Sequence, residues 1–169
     1  IVEANFAVGS LFAIFDTIQP ACGRDQMASA VTVYGPRTLI CMALPPNTAI
    51  EVTLVDGVWM VSQDQLSILP QGKIFAPGNL RETIVNPSYA RMVDYWMSQK
   101  YQLRYTGGMV PDVYHILAKQ KGIYTTVASK PKLRLWYEVA PLGVLMECAG
   151  GKALDPATMQ PVLDVPFSD

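Results

Sequence analysis

Arg104-Tyr105-Thr106-Gly107-Gly108-Met109-Val110-Pro111-Asp112-Val113 changes character halfway along its length. Its first residues suit an extended arm. Gly107 and Gly108 let the backbone turn sharply and pass close to another group, which a bulky side chain would prevent. Pro111 suits the first turn of a helix, where its missing N–H costs nothing. Val113, Ile116 and Leu117 then carry a helix to about Lys119. A turn entering a helix presents unpaired N–H groups with positive dipole character, and an anion can settle there. Arg104 and Tyr105 stand just before that point. Further on, Lys132-Leu133-Arg134-Leu135-Trp136-Tyr137-Glu138 puts Lys132 and Arg134 on one side of an extended run, with Glu138 beyond. Two cation-bearing segments, a phenol, a helix start and one carboxylate suggest an oxyanion site with a metal at its edge. A basic arm lying in solvent would have the same spacing.

Around this stretch the chain alternates strands and helices. Ala4 to Asp16 is apolar enough to predict a long strand buried on both faces, with Gly9 marking a bulge or a close contact. Met27, Ala28, Ala30, Val31 and Tyr34 are spaced as a short helix that Gly35-Pro36 ends. Thr38 to Leu44 is a strand and Pro45-Pro46-Asn47 a turn. Ile50 to Val55 and Val58 to Val61 flank Asp56-Gly57, a strong hairpin signal. Lys73-Ile74-Phe75 is a short strand, followed by a polar loop from Pro77 to Arg81. Asn86 caps a helix with Pro87 at its first position, and Tyr89, Met92, Val93 and Trp96 form one apolar face. Gly122 to Val127 is a strand. Leu135 to Ala149 is a helix stopped by Gly150-Gly151, with Pro141 either kinking it or deferring its start. The expected architecture is one α/β domain, a layered mixed sheet flanked by helices on both faces.

The 169 residues suit one domain with its own core. Half are apolar and 16% are charged, which excludes a disordered chain. A net charge of −1 argues against a nucleic-acid partner, yet a local Arg and Lys cluster can still hold a small anion. No apolar run is long enough to span a membrane. Cys22, Cys41 and Cys148 lack a C-x-x-C pair, so they suit buried free thiols better than zinc. His115 is the sole histidine, so no His-based triad can form, and it suits the surface or an interface. Trp59, Trp96 and Trp136 are isolated and suit the core. Asp25 suits a helix cap or a partner for Arg24.

RYTGGMVPDV, KLRLWYEVAPLGVLMECAGG and VGSLFAIF resemble the C-terminal part of the class 1 sugar-bisphosphatase family. GRDQMASAVTVYGPRT, GKIFAPGNLRE and the TGGMVPDV turn resemble its sedoheptulose-1,7-bisphosphatase branch more closely than its fructose-1,6-bisphosphatase branch. The resemblance runs from about Asn5 to Val165. The family's DPLDGSS metal loop falls immediately before the position that Ile1 matches. The resemblance therefore implies that residues 1–169 are the C-terminal α/β domain of a longer chain, with the metal-loop domain and a final strand outside it.

The implied activity is Mg2+-dependent removal of the 1-phosphate from sedoheptulose 1,7-bisphosphate, as in the Calvin cycle. Fructose 1,6-bisphosphate is the alternative substrate, and a silent phosphate-binding or assembly module is the rival of another class. Two or three Mg2+ ions would be held mostly by residues outside this chain. Glu138 matches the one metal-ligating, catalytic glutamate of the C-terminal half; a glutamate at a helix start would also merely complement the dipole. Lys132 matches a lysine that binds the sugar ring or its distal phosphate. Arg134 suits either substrate contact or an ion pair with Glu138. Arg104 matches an arginine that reaches a neighbouring subunit's distal phosphate, which implies a dimer or tetramer. Tyr105 matches a phosphate-contacting tyrosine, and Gly108 and Met109 match backbone N–H positions near that phosphate. Asn79 matches the asparagine of the fructose branch's N-E-G-Y segment, and Arg81 replaces its tyrosine. Another tyrosine of that branch falls on Thr126, and Gly108 stands where it usually has serine. These departures suit a seven-carbon sugar, and the branch implies a plastid rather than the cytoplasm.

Overall fold

A computed structural model of the chain describes residues 6–130 and 133–167. Its first half is an antiparallel meander of five strands in chain order: β1 Val8–Phe15, β2 Gln26–Tyr34, β3 Thr38–Leu44, β4 Thr48–Val55 and β5 Val58–Gln63. Asp56 and Gly57 join β4 to β5 with φ of 48° and 81°, the doubly left-handed turn that matches strand twist. Pro45-Pro46, a cis bond, turns β3 into β4.

Two expectations fail in this sheet. Met27–Tyr34 is strand, not helix, and pairs with both β1 and β3. The β-branched run Val31-Thr32-Val33 favours a pleated surface, and those side chains are all buried there. Nor is β1 buried on both faces. Leu11 packs inward, whereas Phe12 and Ile14 are 50% and 53% exposed on the outer face. Gly9 marks a close contact: a Cβ there would meet the Thr32 carbonyl oxygen at 2.3 Å and Val110 Cγ1 at 2.4 Å. The strand's register irregularity lies elsewhere, at Ile14 and Phe15.

The inner face of the meander carries Val31, Val33, Leu39, Cys41 and Ala43. Helices α2, Met109–Lys119, and α3, Ala140–Cys148, pack on it through Val110, Val113, Leu117, Leu142 and Leu145. The second half supplies a separate parallel sheet of three strands: β6 Ile74–Gly78, β7 Gln102–Leu103 and β8 Ile123–Thr126, in the order β7-β6-β8. Helix α1, Pro87–Ser98, lays Tyr89, Val93 and Trp96 on Phe75 of β6. The α/β class holds, but the sheet is divided in two, and α2 and α3 cover only the inner face of the meander rather than both faces.

Asn86 caps α1 by accepting the Tyr89 N–H at 3.0 Å. Pro141 defers the start of α3: a π-helical turn, Leu135–Val139, precedes it. Gly150, at φ 82°, ends α3, and Gly151 donates its N–H back to the Met146 carbonyl at 2.8 Å. Trp96 is in the core, but Trp59 and Trp136 are nearly half exposed, and Trp136 stacks on Phe167. Asp25 Oδ2 accepts the Ala21 N–H at 2.6 Å, while Arg24 bridges Glu147 and Asp164 instead. The three thiols are free; Cys41 and Cys148 are buried and Cys22 is partly covered.

Candidate functional site

Parallel strands place their carboxyl ends on one edge, and loops leaving that edge converge. Asn79 leaves β6, Arg104 and Tyr105 leave β7, and Val127 leaves β8. Asn79 adopts a left-handed backbone with φ 53°, which asparagine tolerates better than most residues. Its Nδ2 donates to the Val127 carbonyl at 2.9 Å and to Glu82 Oε1 at 3.3 Å, tying the ends of β6 and β8 together. Tyr89 adds to this by donating its hydroxyl to the Gly78 carbonyl at 2.7 Å. Arg81 lies exposed on the short 3-10 turn Leu80–Ile84 that follows.

Arg104 donates its backbone N–H to the Phe75 carbonyl at 3.0 Å, which anchors the arm while the residue stays exposed. Tyr105 is 46% exposed. Burial is the main cause that pushes the Tyr89 and Tyr124 phenols up, and Tyr105 adds to both, which puts three phenols within electrostatic reach. Burial pulls His115 below its ordinary range; Arg104 and Lys119 pull it further, against Asp112.

The glycine turn itself differs from a vacant anion cradle. Thr106 N–H donates to Asp112 Oδ1 at 2.7 Å and Gly107 N–H to Asp112 Oδ2 at 3.2 Å. Gly108 N–H reaches Thr106 Oγ1 at 3.3 Å. Gly107, with φ 93°, supplies the bend. Gly108 then caps α2 and Met109 begins it. Sequence reading passed over Asp112, which is 1% exposed. Its signal was an acidic residue in the first turn of a helix entered through two glycines. Reading by motif also missed Glu51, 2% exposed on β4, which accepts from Ser62 Oγ at 2.6 Å and from the Tyr114 hydroxyl of α2 at 3.0 Å.

The π-helical turn carries Glu138 and packs against β1 and α3. Glu138 Oε2 accepts the Arg134 N–H at 2.5 Å, so the carboxylate folds back on its own turn. Lys132 lies outside the described residues. The structure thus brings Asn79, Arg104 and Tyr105 to one strand edge, with Arg81 on the turn leaving it and Gly108 and Met109 opening α2. Glu138 and Arg134 sit on a separate element. Among the described residues no group of three His, Cys, Asp or Glu gathers to hold a metal ion. Glu138 is therefore not part of a complete metal site among the described residues. No helix of the described residues is long and apolar enough to cross a membrane.

Residues 68–168 match the family model described as Fructose-1-6-bisphosphatase, C-terminal domain. The chain is 49% identical to the chloroplastic sedoheptulose-1,7-bisphosphatase of Triticum aestivum, covering 97% of itself and 43% of that protein. It is 34% identical to the class 1 fructose-1,6-bisphosphatase of Geobacter sulfurreducens, over 98% of itself and 53% of that protein. A Toxoplasma gondii structure assigned as a sedoheptulose-1,7 bisphosphatase superposes with a TM-score of 0.87 at 35% identity, covering 96% of this chain and 59% of that one. The chain spans about half the length of the curated relatives it matches.

Proposed function

From the premise that the chain belongs to the fructose-1,6-bisphosphatase C-terminal-domain family, we propose that it supplies the sugar-phosphate-binding part of a bisphosphatase, with sedoheptulose 1,7-bisphosphate as substrate. The observation that carries this reading is the convergence of Asn79, Arg104 and Tyr105 at the carboxyl edge of the β7-β6-β8 sheet. An exposed guanidinium can take a phosphate in bidentate fashion, and a phenol beside it can donate a further hydrogen bond. Arg81, on the turn after Asn79, adds a second guanidinium. The amides at Gly108 and Met109 begin a helix whose dipole favours an anion. Lys132 is assigned to the sugar ring or its distal phosphate on the family motif, and Arg134, two residues on, to substrate contact or to an ion pair with Glu138.

Hydrolysis of a phosphate monoester needs neutralised phosphoryl oxygens and an aligned water, which divalent ions such as Mg2+ supply. Glu138 would contribute one carboxylate to such ions, and the remaining ligands would come from outside these 169 residues. Residues 1–169 would then be the C-terminal domain of the working enzyme. The exposed Arg104 suits reaching across to a second subunit, and so a homo-oligomer. The chloroplastic relatives support a plastid location.

Phosphate release by the intact polypeptide tests the reading. The expected result is a higher kcat/KM for sedoheptulose 1,7-bisphosphate than for fructose 1,6-bisphosphate, with KM raised by Arg104→Ala. The reverse preference would assign the fructose branch. Binding of both sugars without release of phosphate would make the protein a phosphate-binding module.

A further inference from the structure

We propose that Asp112 is the positioning residue that fixes the Arg104–Gly108 arm against helix α2, and so sets the affinity of the site without taking part in the chemistry. This inference rests on the functional reading above. Both oxygens of the Asp112 carboxylate are engaged by consecutive backbone N–H groups, those of Thr106 and Gly107. The side chain is 1% exposed, so water does not compete for these bonds. Among the described residues no ion pair to Asp112 is formed; its charge is met by backbone dipoles. A buried carboxylate held by main-chain donors persists only where the donors stay in place.

Asp112 itself sits on a helix packed into the core. The adjacent Val113 is buried, as are Ile116 and Leu117 further along α2, and Tyr114 ties the helix to Glu51 of β4. The rigid body of the helix therefore dictates where Thr106 and Gly107 lie. Tyr105 precedes Thr106 directly, and Arg104 is held on its other side by the Phe75 carbonyl. The arm is thus clamped at both ends, by β6 and by Asp112. The same bonds withhold the Thr106 and Gly107 amides from any bound phosphate. Gly108 N–H is engaged in turn by Thr106 Oγ1 at 3.3 Å, so the anion is left to the side chains of the arm and to the amides beyond Gly108.

Asp112→Asn keeps the volume but sets an NH2 against one of the two backbone donors. In the intact polypeptide the expected result is a KM for the sugar bisphosphate raised about tenfold, with kcat held within about twofold. Hydrogen exchange at the Thr106 and Gly107 amides should accelerate in the same variant. Should Asp112→Asn not fold, Gly107→Val disturbs the same turn from its open side, because a β-branched residue cannot take φ near 93°. It should raise KM in the same way. Arg104→Ala is the control for the underlying reading. If Arg104→Ala raises KM and the turn variants do not, the positioning role is overturned and the reading stands. A fall in kcat and melting temperature at unchanged KM would overturn it too, as a merely structural role. If Arg104→Ala also leaves KM unchanged, the functional reading fails and the inference falls with it.

Discussion

Glu51 is a carboxylate in the inner face of β4, facing the core with 2% of its surface exposed. A charge in that position costs several kcal/mol unless donors meet it. Ser62 and Tyr114 provide those donors, and Thr53 Oγ1 donates on to Ser62 Oγ at 3.0 Å. Tyr114→Phe removes one donor and leaves the carboxylate under-satisfied, so urea unfolding should show a loss of about 1–3 kcal/mol. An unchanged midpoint would mean that the hydroxyl contributes nothing. The thiol of Cys41, fully buried beside this network, is pushed up to about 12 mainly by burial, with Glu51 adding to the effect. It should resist a thiol reagent at pH 8 in the folded protein and react only on unfolding, whereas Cys22 should label first. His115 gives a further check on geometry, because it is the sole histidine and its ring signals are unambiguous. Its folded pKa lies below the ordinary 6.5, first through burial and then through Arg104 and Lys119. The associated stability is present above the unfolded value and is lost as the pH falls through the folded one. An NMR titration should place the midpoint below 6.5 and move it up in Arg104→Ala; an unmoved midpoint would separate the two side chains. Cys41 is the buried free thiol that its sequence context suggested, but Glu51 did not announce its role. A buried Glu looks like any Glu until the irregular pairing of β4 with β5, which sets Gln63 opposite Glu51 and Val61 opposite Val52, brings the Ser62 hydroxyl to it.

At the scale of elements, local signals were readable where the residue chemistry left one backbone choice. Asp56-Gly57 requires left-handed backbone and so made the hairpin legible. Asn86-Pro87 combines a capping side chain with a ring that cannot donate, and so fixed the start of α1. Asn86→Ala should lower thermal stability by about 1 kcal/mol, as a lost N-cap does, and an unchanged melting temperature would show that Pro87 suffices alone. β2 was illegible for the opposite reason. Met27, Ala30, Val31 and Tyr34 fall at helical intervals, yet Ala30, Thr32 and Tyr34 also alternate with Val31 and Val33, and either period fits so short a run. Pairing with β1 and β3 decided the matter, and that is tertiary information. The site divides in the same way. The turn, the helix start and the cationic arm were readable from glycine and proline. The capture of the turn amides by Asp112 was not, because only the folded geometry aims that carboxylate backwards.

For the whole molecule, the meander is covered unequally. Its inner face meets α2 and α3, while Phe12, Ile14, Tyr34, Leu54, Trp59 and Val61 are all substantially exposed. Strand pairing puts these side chains on the outer face together: Ile14 lies opposite Ala28, Leu54 opposite Trp59 and Val52 opposite Val61. Contiguous apolar surface of this kind is uncommon on a free monomer. The 169-residue polypeptide studied alone should therefore enhance the fluorescence of an apolar dye such as ANS while keeping the near-UV circular dichroism of its packed aromatic residues. Retained near-UV signal is what separates an exposed face on a packed protein from a molten state, in which tertiary packing is lost as well. Trp59→Lys with Val61→Lys should reduce the dye signal without lowering the melting temperature, because neither side chain supports the inner core. If the dye does not bind, the face is closed by the chain's own residues. If the double variant unfolds, the outer face contributes to stability, and the division of the sheet into a packed side and an open side is wrong.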